Sequence, residues 1–398
     1  MNRKQLTILI VLVALVGGAG WVFLKRQHNA YMPSSRQLGQ KLFPKLPVND
    51  VARIHVKDSA SELNLVKKDD LWRVQERGDY PANFSQISGF LLKAAELKIG
   101  QNEEIGASQF ARLELLDPSK GKDSGTLLEF KDAGDKMIQS AILGKKQIKK
   151  SDRPSQFGED GFPIGRYVLL PNDAKNVFLV SDALSDIEAK PENWLNKDFF
   201  KIEKVKSVSL VSTNATNSWK LSRTNESSGW MLADTKAGEQ MDTNKVSGVA
   251  NSLSSPSFVD VVVDGKPEQT GLDKPSVATL ETFDGFTYTL NIGKTSGENY
   301  HMTMKVSANF PKERIVGKDE KPEEKTKLDK EFADKNNALE GKLKQEKALE
   351  KWTYLVAKWT IDPLLRDRAQ LMVEKKEEPK KDESKKVDPA IDPTSADK

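Results

Sequence analysis

The chain repeats one series of short apolar segments, and this duplication constrains its fold more than any other feature of the sequence. The first copy begins at residues 51–56 and the second at residues 205–210. The later segments keep the same order at offsets of 149 to 159 residues. They are Leu63–Leu65, Leu71–Val74, Leu116–Pro118 and Leu143–Lys145 in the first copy, and Trp219–Leu221, Gly229–Leu232, Leu272–Pro275 and Ile292–Lys294 in the second. We infer two tandem copies of one structural unit.

The spacing of apolar residues predicts the elements of each copy. Residues 53–56 and 63–66 alternate between apolar and polar side chains, as half-buried strands do. After Asn83 the period changes to three and four, through Phe84, Ile87, Leu91, Ala94 and Ala95, which predicts a helix with Asn83 as its N-cap. Residues 242–253 repeat this change. The predicted fold class is α+β, with two tandem repeats of an antiparallel sheet that each carry a short packed helix.

The predicted organisation adds two further elements to the repeats, an N-terminal transmembrane helix and a charged helical insertion. In chain order we expect a cytoplasmic tail at 1–6, a transmembrane anchor at 7–24, a tether at 25–48, the first repeat at 49–200, the second repeat at 201–372 with an insertion at 317–351, and a disordered tail at 373–398. Each repeat is expected to fold independently.

Residues 7–24 are uncharged, and as a helix they would be about 27 Å long, close to the hydrocarbon thickness of a bilayer. A cleaved signal peptide with Gly18–Gly20 at its cleavage site is the alternative. The apolar run continues to Leu24, which favours the anchor. The simplest topology leaves the tail in the cytoplasm and the bulk of the chain outside it.

Composition excludes several classes of site. The 62 basic and 58 acidic residues nearly cancel, and no arginine-rich stripe is interleaved with aromatic residues, so we expect no nucleic-acid partner. The absence of cysteine excludes thiol catalysis, thiolate metal sites and disulfides. The histidines, at 28, 55 and 301, lack metal-binding spacing. We therefore predict no metal, no cofactor and no catalytic residue.

Three further patterns have structural explanations. Gly293–Thr295 resembles the end of a phosphate-binding loop, but Tyr288 occupies the position of the first glycine. Trp72 and Trp230 occupy equivalent positions, which favours core packing. Trp194, Trp352 and Trp359 lie near the predicted unit junctions, where packing between units is favoured over anchoring of a partner. Residues 147–166 form either a binding loop or a tolerated insertion.

The insertion at 317–351 carries ten lysines and ten acidic residues. Glu323/Lys327, Glu331/Lys335 and Glu340/Lys344 have the i,i+4 spacing that stabilises an exposed helix. A charged helix or a short helical hairpin is expected. Its apolar stripe consists of Leu328, Phe332, Leu339 and Leu343, and we predict that this stripe binds a partner. A second copy, the chain's own sheet, or a dispensable spacer are the alternatives.

The order of Trp72, Trp230, Leu272–Pro275 and Ile292–Lys294 resembles a bacterial family of membrane-anchored, tandem-repeat proteins of unknown function. Members of that family are found beside ABC-type transporter components and gliding-motility-type auxiliary proteins. The resemblance covers about residues 45–372 and supplies no catalytic residues. It implies an accessory role at the bacterial inner membrane, with the bulk of the chain in the periplasm.

The leading functional hypothesis is a non-enzymatic extracytoplasmic accessory or scaffold subunit of a membrane assembly, associated with an ABC transporter. One alternative is a cell-envelope module that binds a glycan or peptide through residues 147–166. Another is an envelope hydrolase that depends on dispersed carboxylates.

Overall fold

A computed structural model describes residues 38–149, 161–317 and 320–373. The predicted anchor at 7–24 and most of the predicted tail at 373–398 lie outside these residues. Within the described ranges, none of the helices combines the length and the apolar character that crossing a bilayer requires. The fold is α+β with two antiparallel sheets and few helices, as the sequence predicts.

The first sheet has nine strands in the described part of the chain, in the order β4-β3-β2-β1-β6-β7-β8-β9-β5. Its strands are Arg53–Lys57 (β1), Glu62–Lys68 (β2), Leu71–Val74 (β3), Tyr80–Pro81 (β4), Ile99–Glu104 (β5), Thr126–Lys131 (β6), Met137–Lys149 (β7), Phe162–Leu169 (β8) and Asn176–Val180 (β9). The expected meander of β1, β2 and β3 is present, with Ile54 opposite Leu65 and Leu65 opposite Val74.

The second sheet follows the same plan, in the order β12-β11-β10-β14-β15-β16-β17-β13. Its strands are Val205–Val211 (β10), Trp219–Ser222 (β11), Met231–Leu232 (β12), Asp260–Val262 (β13), Ser276–Thr282 (β14), Phe286–Ser296 (β15), Asn299–Ala308 (β16) and Thr353–Ala357 (β17). Val208 lies opposite Leu221, and Leu221 opposite Leu232. The two sheets therefore share topology and register in their first strands, which supports the duplication.

Each sheet carries one helix at the predicted place. Helix α1 spans Phe84–Glu96 and α2 spans Thr243–Asn251. The Asn83 side chain accepts a hydrogen bond from the Gln86 amide, and the Asp242 side chain caps α2 in the same way. Phe84 is 65% exposed and does not belong to the buried face of α1. The remaining helices are Pro267–Thr270 (α3), Pro322–Lys347 (α4) and Lys358–Ile361 (α5).

The segment that follows each sheet pairs with the residues in front of its helix. Ala82 bridges Leu195, and the Asn83 amide donates to the Trp194 carbonyl at 2.8 Å. In the second unit Met241 bridges Met372, and the Asp242 amide donates to the Leu371 carbonyl at 2.9 Å. This closure is the same in both units, so the repeat extends through residues 371–372.

The repeated glycines of the Leu-Gly-Lys and Ile-Gly-Lys segments lie within strands β7 and β15, where another segment crosses them closely. A Cβ atom on Gly144 would lie 2.4 Å from the Leu113 carbonyl oxygen, and one on Gly293 would lie 2.2 Å from that of Thr270. Both strands shift register just after the glycine. Glycine is therefore required by backbone packing, and the resemblance of Gly293–Thr295 to a phosphate loop has no structural basis.

One hydrophobic core runs through both units. It includes Ile54, Phe130 and Trp194 from the first unit, and Tyr288 and Tyr354 from the second. Trp72 is buried in this core, and Trp230 packs against it beneath the Arg223 guanidinium. The domain boundaries 49–200 and 201–372, and the independent folding of the two repeats, remain predictions.

Candidate partner-binding surfaces

The charged insertion forms a single helix, α4, and its sequence explains its ends. Pro322 occupies the first helical position, where a missing amide hydrogen has no consequence. Glu323 and Glu324 lie in the first turn, and Lys344 and Lys347 lie in the last, so the side-chain charges complement the helix dipole. The hairpin alternative is therefore wrong.

The C-terminal half of α4 is fixed to the second sheet. Leu339 and Leu343 pack against the common core. The Lys342 ammonium donates to the Lys201 carbonyl at 2.7 Å and lies 5.1 Å from the centre of the Phe286 ring. These contacts place half of the predicted stripe against the chain's own sheet, and binding of a partner by Leu339 and Leu343 remains a prediction.

A buried carboxyl group also connects this half to the sheet. Glu346 is only 6% exposed. It accepts hydrogen bonds from the Tyr288 hydroxyl at 2.7 Å and from the Lys201 amide at 3.2 Å. Burial raises the pKa of Glu346 above its ordinary value. Burial and the bond to Glu346 also raise the pKa of Tyr288, so this pair is a structural connection between α4 and β15.

The N-terminal half of α4 is braced by the loop in front of it. The Arg314 guanidinium pairs with Glu320, and its Nη2 lies 2.8 Å from an Asp329 carboxylate oxygen. The Asn336 side chain donates to the Pro311 carbonyl at 3.0 Å. Leu328 and Phe332 lie in this half and are half-buried. The N-terminal half of α4 is therefore held in place by polar contacts with the preceding loop.

The braced loop exposes further apolar surface. Ile315 is 94% exposed and Val316 is 51% exposed, immediately after Arg314, whose side chain is 15% exposed. Two of the three lysines in the predicted pairs have other partners. Lys327 lies 3.8 Å from Glu331, and Lys335 lies 3.1 Å from Asp284 in the turn before β15. This last pair fixes the helix to the sheet, which an i,i+4 pair within the helix would not do.

The two units meet through an ion pair and an aromatic cluster. Arg77 Nε lies 2.6 Å from one Asp260 carboxylate oxygen, and Nη2 lies 2.8 Å from the other. The Tyr80 ring packs edge-on against Phe258, Trp352 and Tyr354. Burial raises the pKa of Tyr80 to about 12. Trp352 therefore lies at the unit junction, as predicted.

The other tryptophans of this group differ. Trp194 is buried beside Phe90 in the first unit, and its indole donates to the Glu188 carbonyl. Trp359 follows β17 in helix α5 and is 70% exposed. Packing between units therefore does not explain Trp359, and this residue is a candidate anchor for a partner.

A cleft of about 800 Å³ lies where β3, the start of α1 and residues 196–198 meet. Leu71 and Phe84, which line it, are 56% and 65% exposed. Lys197 also lines the cleft, donates to the Val259 carbonyl at 2.8 Å and lies over the Phe258 ring. Burial lowers the pKa of Lys197. The cleft combines apolar side chains with Lys197 and with the carboxylates of Asp70 and Asp198, groups that can pair with the side chains and termini of a short peptide.

The predicted loop at 147–166 is largely strand where it is described. Residues 147–149 at the end of β7 pair with residues 162–165 at the start of β8. We call these paired ends, residues 145–149 and 162–165, the arm. Arg166 at the base of the arm is buried, donates to the Gly144 carbonyl at 2.8 Å, and has its pKa lowered by burial to about 10. The described ends of this segment are therefore paired strands, residues 150–160 lie outside the described residues, and the choice between a binding loop and a tolerated insertion stays a prediction.

The histidines have structural roles. His55 Nδ1 lies 2.9 Å from Glu129 and Nε2 lies 2.8 Å from Glu62, so the ring joins three strands. His301 Nδ1 donates to the Lys294 carbonyl. In the described ranges no group of three or more histidine, aspartate or glutamate side chains is arranged to hold a metal ion. His28 lies outside the described residues.

Comparison with known proteins identifies one family. Residues 72–275, just over half of the chain, match the family described as Domain of unknown function (DUF4340). The match begins at Trp72 and ends at Pro275, so it includes most of the residues that line the cleft and ends before α4. No curated protein and no solved structure matches the chain.

Proposed function

The chain belongs to the DUF4340 family, and we propose that it is a non-enzymatic accessory or scaffold subunit of a bacterial membrane assembly. In this proposal residues 7–24 anchor the chain in the inner membrane and the folded part lies in the periplasm. An ABC-type transporter is the proposed assembly, because the sequence resembles proteins found beside such transporters. The two related sheets supply a rigid body that can hold membrane components in fixed positions.

The main observation in support of the proposal is how α4 is attached to the rest of the fold. Its C-terminal half is fixed by Leu339, Leu343 and Glu346, whereas its N-terminal half offers Leu328 and Phe332 from a braced position. A rigid helix with apolar side chains binds partners at a low entropic cost, because little has to be ordered on association. Ile315, which is 94% exposed, lies in the loop that braces the helix and offers a further apolar side chain.

The chemistry of the ionisable groups also supports a scaffold. Groups with strongly shifted pKa values often mark active sites. Here Glu346 joins α4 to β15, Arg77 joins the two units, and Arg166 binds backbone carbonyls at the base of the arm. Each of these three groups has a partner within the fold.

Partner recovery from membranes tests the proposal. The chain would be purified with a C-terminal tag from detergent-solubilised membranes after mild crosslinking, and the bound proteins identified. Recovery of transporter subunits in constant proportion supports the proposal. A chain that emerges alone from both crosslinked and uncrosslinked membranes contradicts it. Protease added to intact spheroplasts should digest residues 25–398, and complete protection would reverse the proposed topology.

Peptide binding in the cleft is a second candidate function. Leu71 and Phe84 line a space of about 800 Å³, with Lys197 and Asp198 beside them. Peptide-binding domains take the apolar side chains of their ligands into pockets of this kind. A peptide array screened against the chain and its Leu71→Ser/Phe84→Ser variant tests this candidate. Equal signals from both proteins would eliminate it.

A further inference from the structure

The arm combines exposed apolar side chains with lysines. Ile148, Phe162 and Ile164 are 45%, 54% and 42% exposed. Lys145, Lys146 and Lys149 lie on the same strand as Ile148. Side chains of these two kinds occur together on proteins that bind the surface of anionic bilayers, where apolar groups enter the interface and lysines contact phosphates.

The arm lies at the end of the first sheet where the described chain begins. The Gly39 amide donates to the Ile99 carbonyl at 2.8 Å. Ile99 pairs with Val180 in β9, and Val180 pairs with Arg166 at the base of the arm. Leu38, the first described residue, is itself 44% exposed. The start of the folded part and the arm therefore share one end of the sheet.

The length of the preceding chain limits how far this end can lie from the membrane. The predicted anchor ends at Leu24, so residues 25–37 separate it from Leu38. A chain of this length spans at most about 45 Å when fully extended. No other part of the fold is closer to the anchor along the chain, so this is the end whose distance from the bilayer the tether limits most directly.

The charges around the arm suit an anionic surface. The groove beside Phe162 and Ile164 contains Lys93, Asp182 and Asp186. Lys93 lies 3.1 Å from Asp186 and 3.9 Å from Asp182, so these aspartates are partly neutralised. Among the described residues of the arm and this groove, the three lysines of β7 and Lys93 outnumber the two aspartates.

We propose that the arm binds the surface of an anionic lipid bilayer and orients the folded part of the chain against the membrane. Phe162 lies opposite Lys149 and Ile148 lies opposite Pro163, so Ile148 and Phe162 are on different faces of the two-stranded arm. In this arrangement the arm enters the interfacial region edge-on with both faces in contact with lipid, and Lys145, Lys146 and Lys149 contact lipid phosphates. The inference rests on the proposed membrane anchor. It adds a second membrane contact, and a tether alone would not fix the orientation of the sheets.

Site-specific fluorescence in nanodiscs tests the arm, because the chain has no cysteine of its own. Full-length Ile148→Cys and Met137→Cys variants would carry an environment-sensitive NBD label. Met137 is the matched control, since it lies at the opposite end of β7, about 36 Å away, and is 43% exposed against 45% for Ile148. The discs would contain phosphatidylcholine alone or with phosphatidylglycerol.

The expected result is a blue-shifted emission at position 148, quenched by spin-labelled lipids and larger in the phosphatidylglycerol discs. The label at position 137 should show neither effect. Replacing Lys145, Lys146 and Lys149 with glutamine should remove the dependence on phosphatidylglycerol. A label at 148 that behaves like the label at 137 in both lipids would overturn the proposal.

The design separates this inference from the proposed anchor. If the chain enters discs but position 148 stays in water, the arm proposal fails and the anchor stands. If the chain does not enter discs, the anchor fails, and the labelled chain would be mixed with preformed phosphatidylglycerol vesicles. A blue shift at 148 in that mixture would still support the arm, and an unchanged spectrum would overturn it.

Discussion

Arg77 of the first unit donates two parallel hydrogen bonds to the carboxylate of Asp260 in the second, at 2.6 and 2.8 Å. The paired geometry fixes the relative position of the 3-10 turn before β4 and the edge strand β13. Glu192, whose carboxylate lies 3.3 Å from Arg77, connects the segment between the two units to the same guanidinium. Three parts of the chain thus meet at one guanidinium group.

Removing one partner of this pair should destabilise the whole chain. Both side chains are about one-fifth exposed, so Asp260→Ala leaves a poorly solvated guanidinium without its main acceptor. We expect a loss of about 1.5–3 kcal/mol in the free energy of unfolding, measured by urea denaturation. Lys57→Ala is the control, because the Lys57–Glu62 pair is exposed and should contribute less than about 1 kcal/mol. An equal loss in both variants would contradict the structural role of Arg77.

The shared core predicts a single unfolding transition. Tyr80 of the first unit packs against Phe258 and Tyr354 of the second, so neither unit buries its junction surface alone. We expect the calorimetric and van't Hoff enthalpies of residues 38–373 to agree. Fragments 45–200 and 201–372 should unfold at lower urea concentrations than the same regions in the full chain. Two separate transitions in the full chain, matching those of the fragments, would show independent units.

The buried Glu346 should make the stability of the chain depend on pH in an unusual direction. Its folded-state pKa is raised above the ordinary value of 4.5, so its protonated form favours folding. That stabilisation is complete below pH 4.5 and is lost as the pH rises through the raised pKa. Relative to Glu346→Gln, the wild-type chain should therefore become more stable on moving from neutral pH to pH 4.5.

The comparison with Glu346→Gln is needed because other carboxylates act in the opposite direction. Hydrogen bonds from Arg368 lower the pKa of Glu239 to about 2, and this contribution is lost in acid. The glutamine variant keeps Glu239 unchanged, so the difference between the two urea midpoints isolates Glu346. A difference that is constant over this pH range, or that grows in favour of the variant in acid, would contradict the assignment.

Adding one methyl group at Gly144 or Gly293, where another segment crosses the strand, should lower the stability of the chain. Gly144→Ala and Gly293→Ala place a Cβ atom 2.4 and 2.2 Å from a carbonyl oxygen, so the strand or the crossing segment must move. We expect each variant to lose about 1–3 kcal/mol of stability. Gly89→Ala is the matched control, because this position in α1 has no atom within 4 Å of the added group. It should gain up to about 1 kcal/mol from helix propensity.

The sequence predicts much of this fold because its two copies carry the same local signals. Alternating residues at 53–56 and 63–66, and the capped helix after Asn83, appear where expected. The correspondence between the two copies that is read from sequence fails where a strand pairs with one distant along the chain. By sequence, Leu128 and Leu280 are natural equivalents, but Phe130 lies opposite Ile54 as Leu280 lies opposite Val208. Register depends on contacts across the sheet, which a single sequence does not encode locally.

The candidate site was predictable only in part. The stripe of α4 has a clear spacing, yet spacing cannot distinguish Leu339 and Leu343, which pack against the core, from Leu328 and Phe332. The buried Glu346 is one of ten acidic residues in the insertion, and nothing in its local sequence marks it. The ion pair between Arg77 and Asp260 joins residues 183 positions apart. These features arise from tertiary packing alone.

The central claim is that the N-terminal half of α4 binds a partner while its C-terminal half holds the helix. Two double variants separate these roles. Leu339→Ser/Leu343→Ser removes core contacts and should lower stability by about 2 kcal/mol or more. Leu328→Ser/Phe332→Ser changes half-buried side chains that are not among those packed against the core, so it should lower the urea midpoint less than Leu339→Ser/Leu343→Ser and leave the chain folded.

The most direct measurement is quantitative partner recovery from crosslinked membranes with the wild-type chain and Leu328→Ser/Phe332→Ser in parallel. The account predicts that the wild-type chain retains its partner subunits and that the folded double variant loses most of them. Equal recovery of the same subunits by both proteins would contradict the role assigned to α4. Recovery of the chain alone in both preparations would contradict the scaffold function itself.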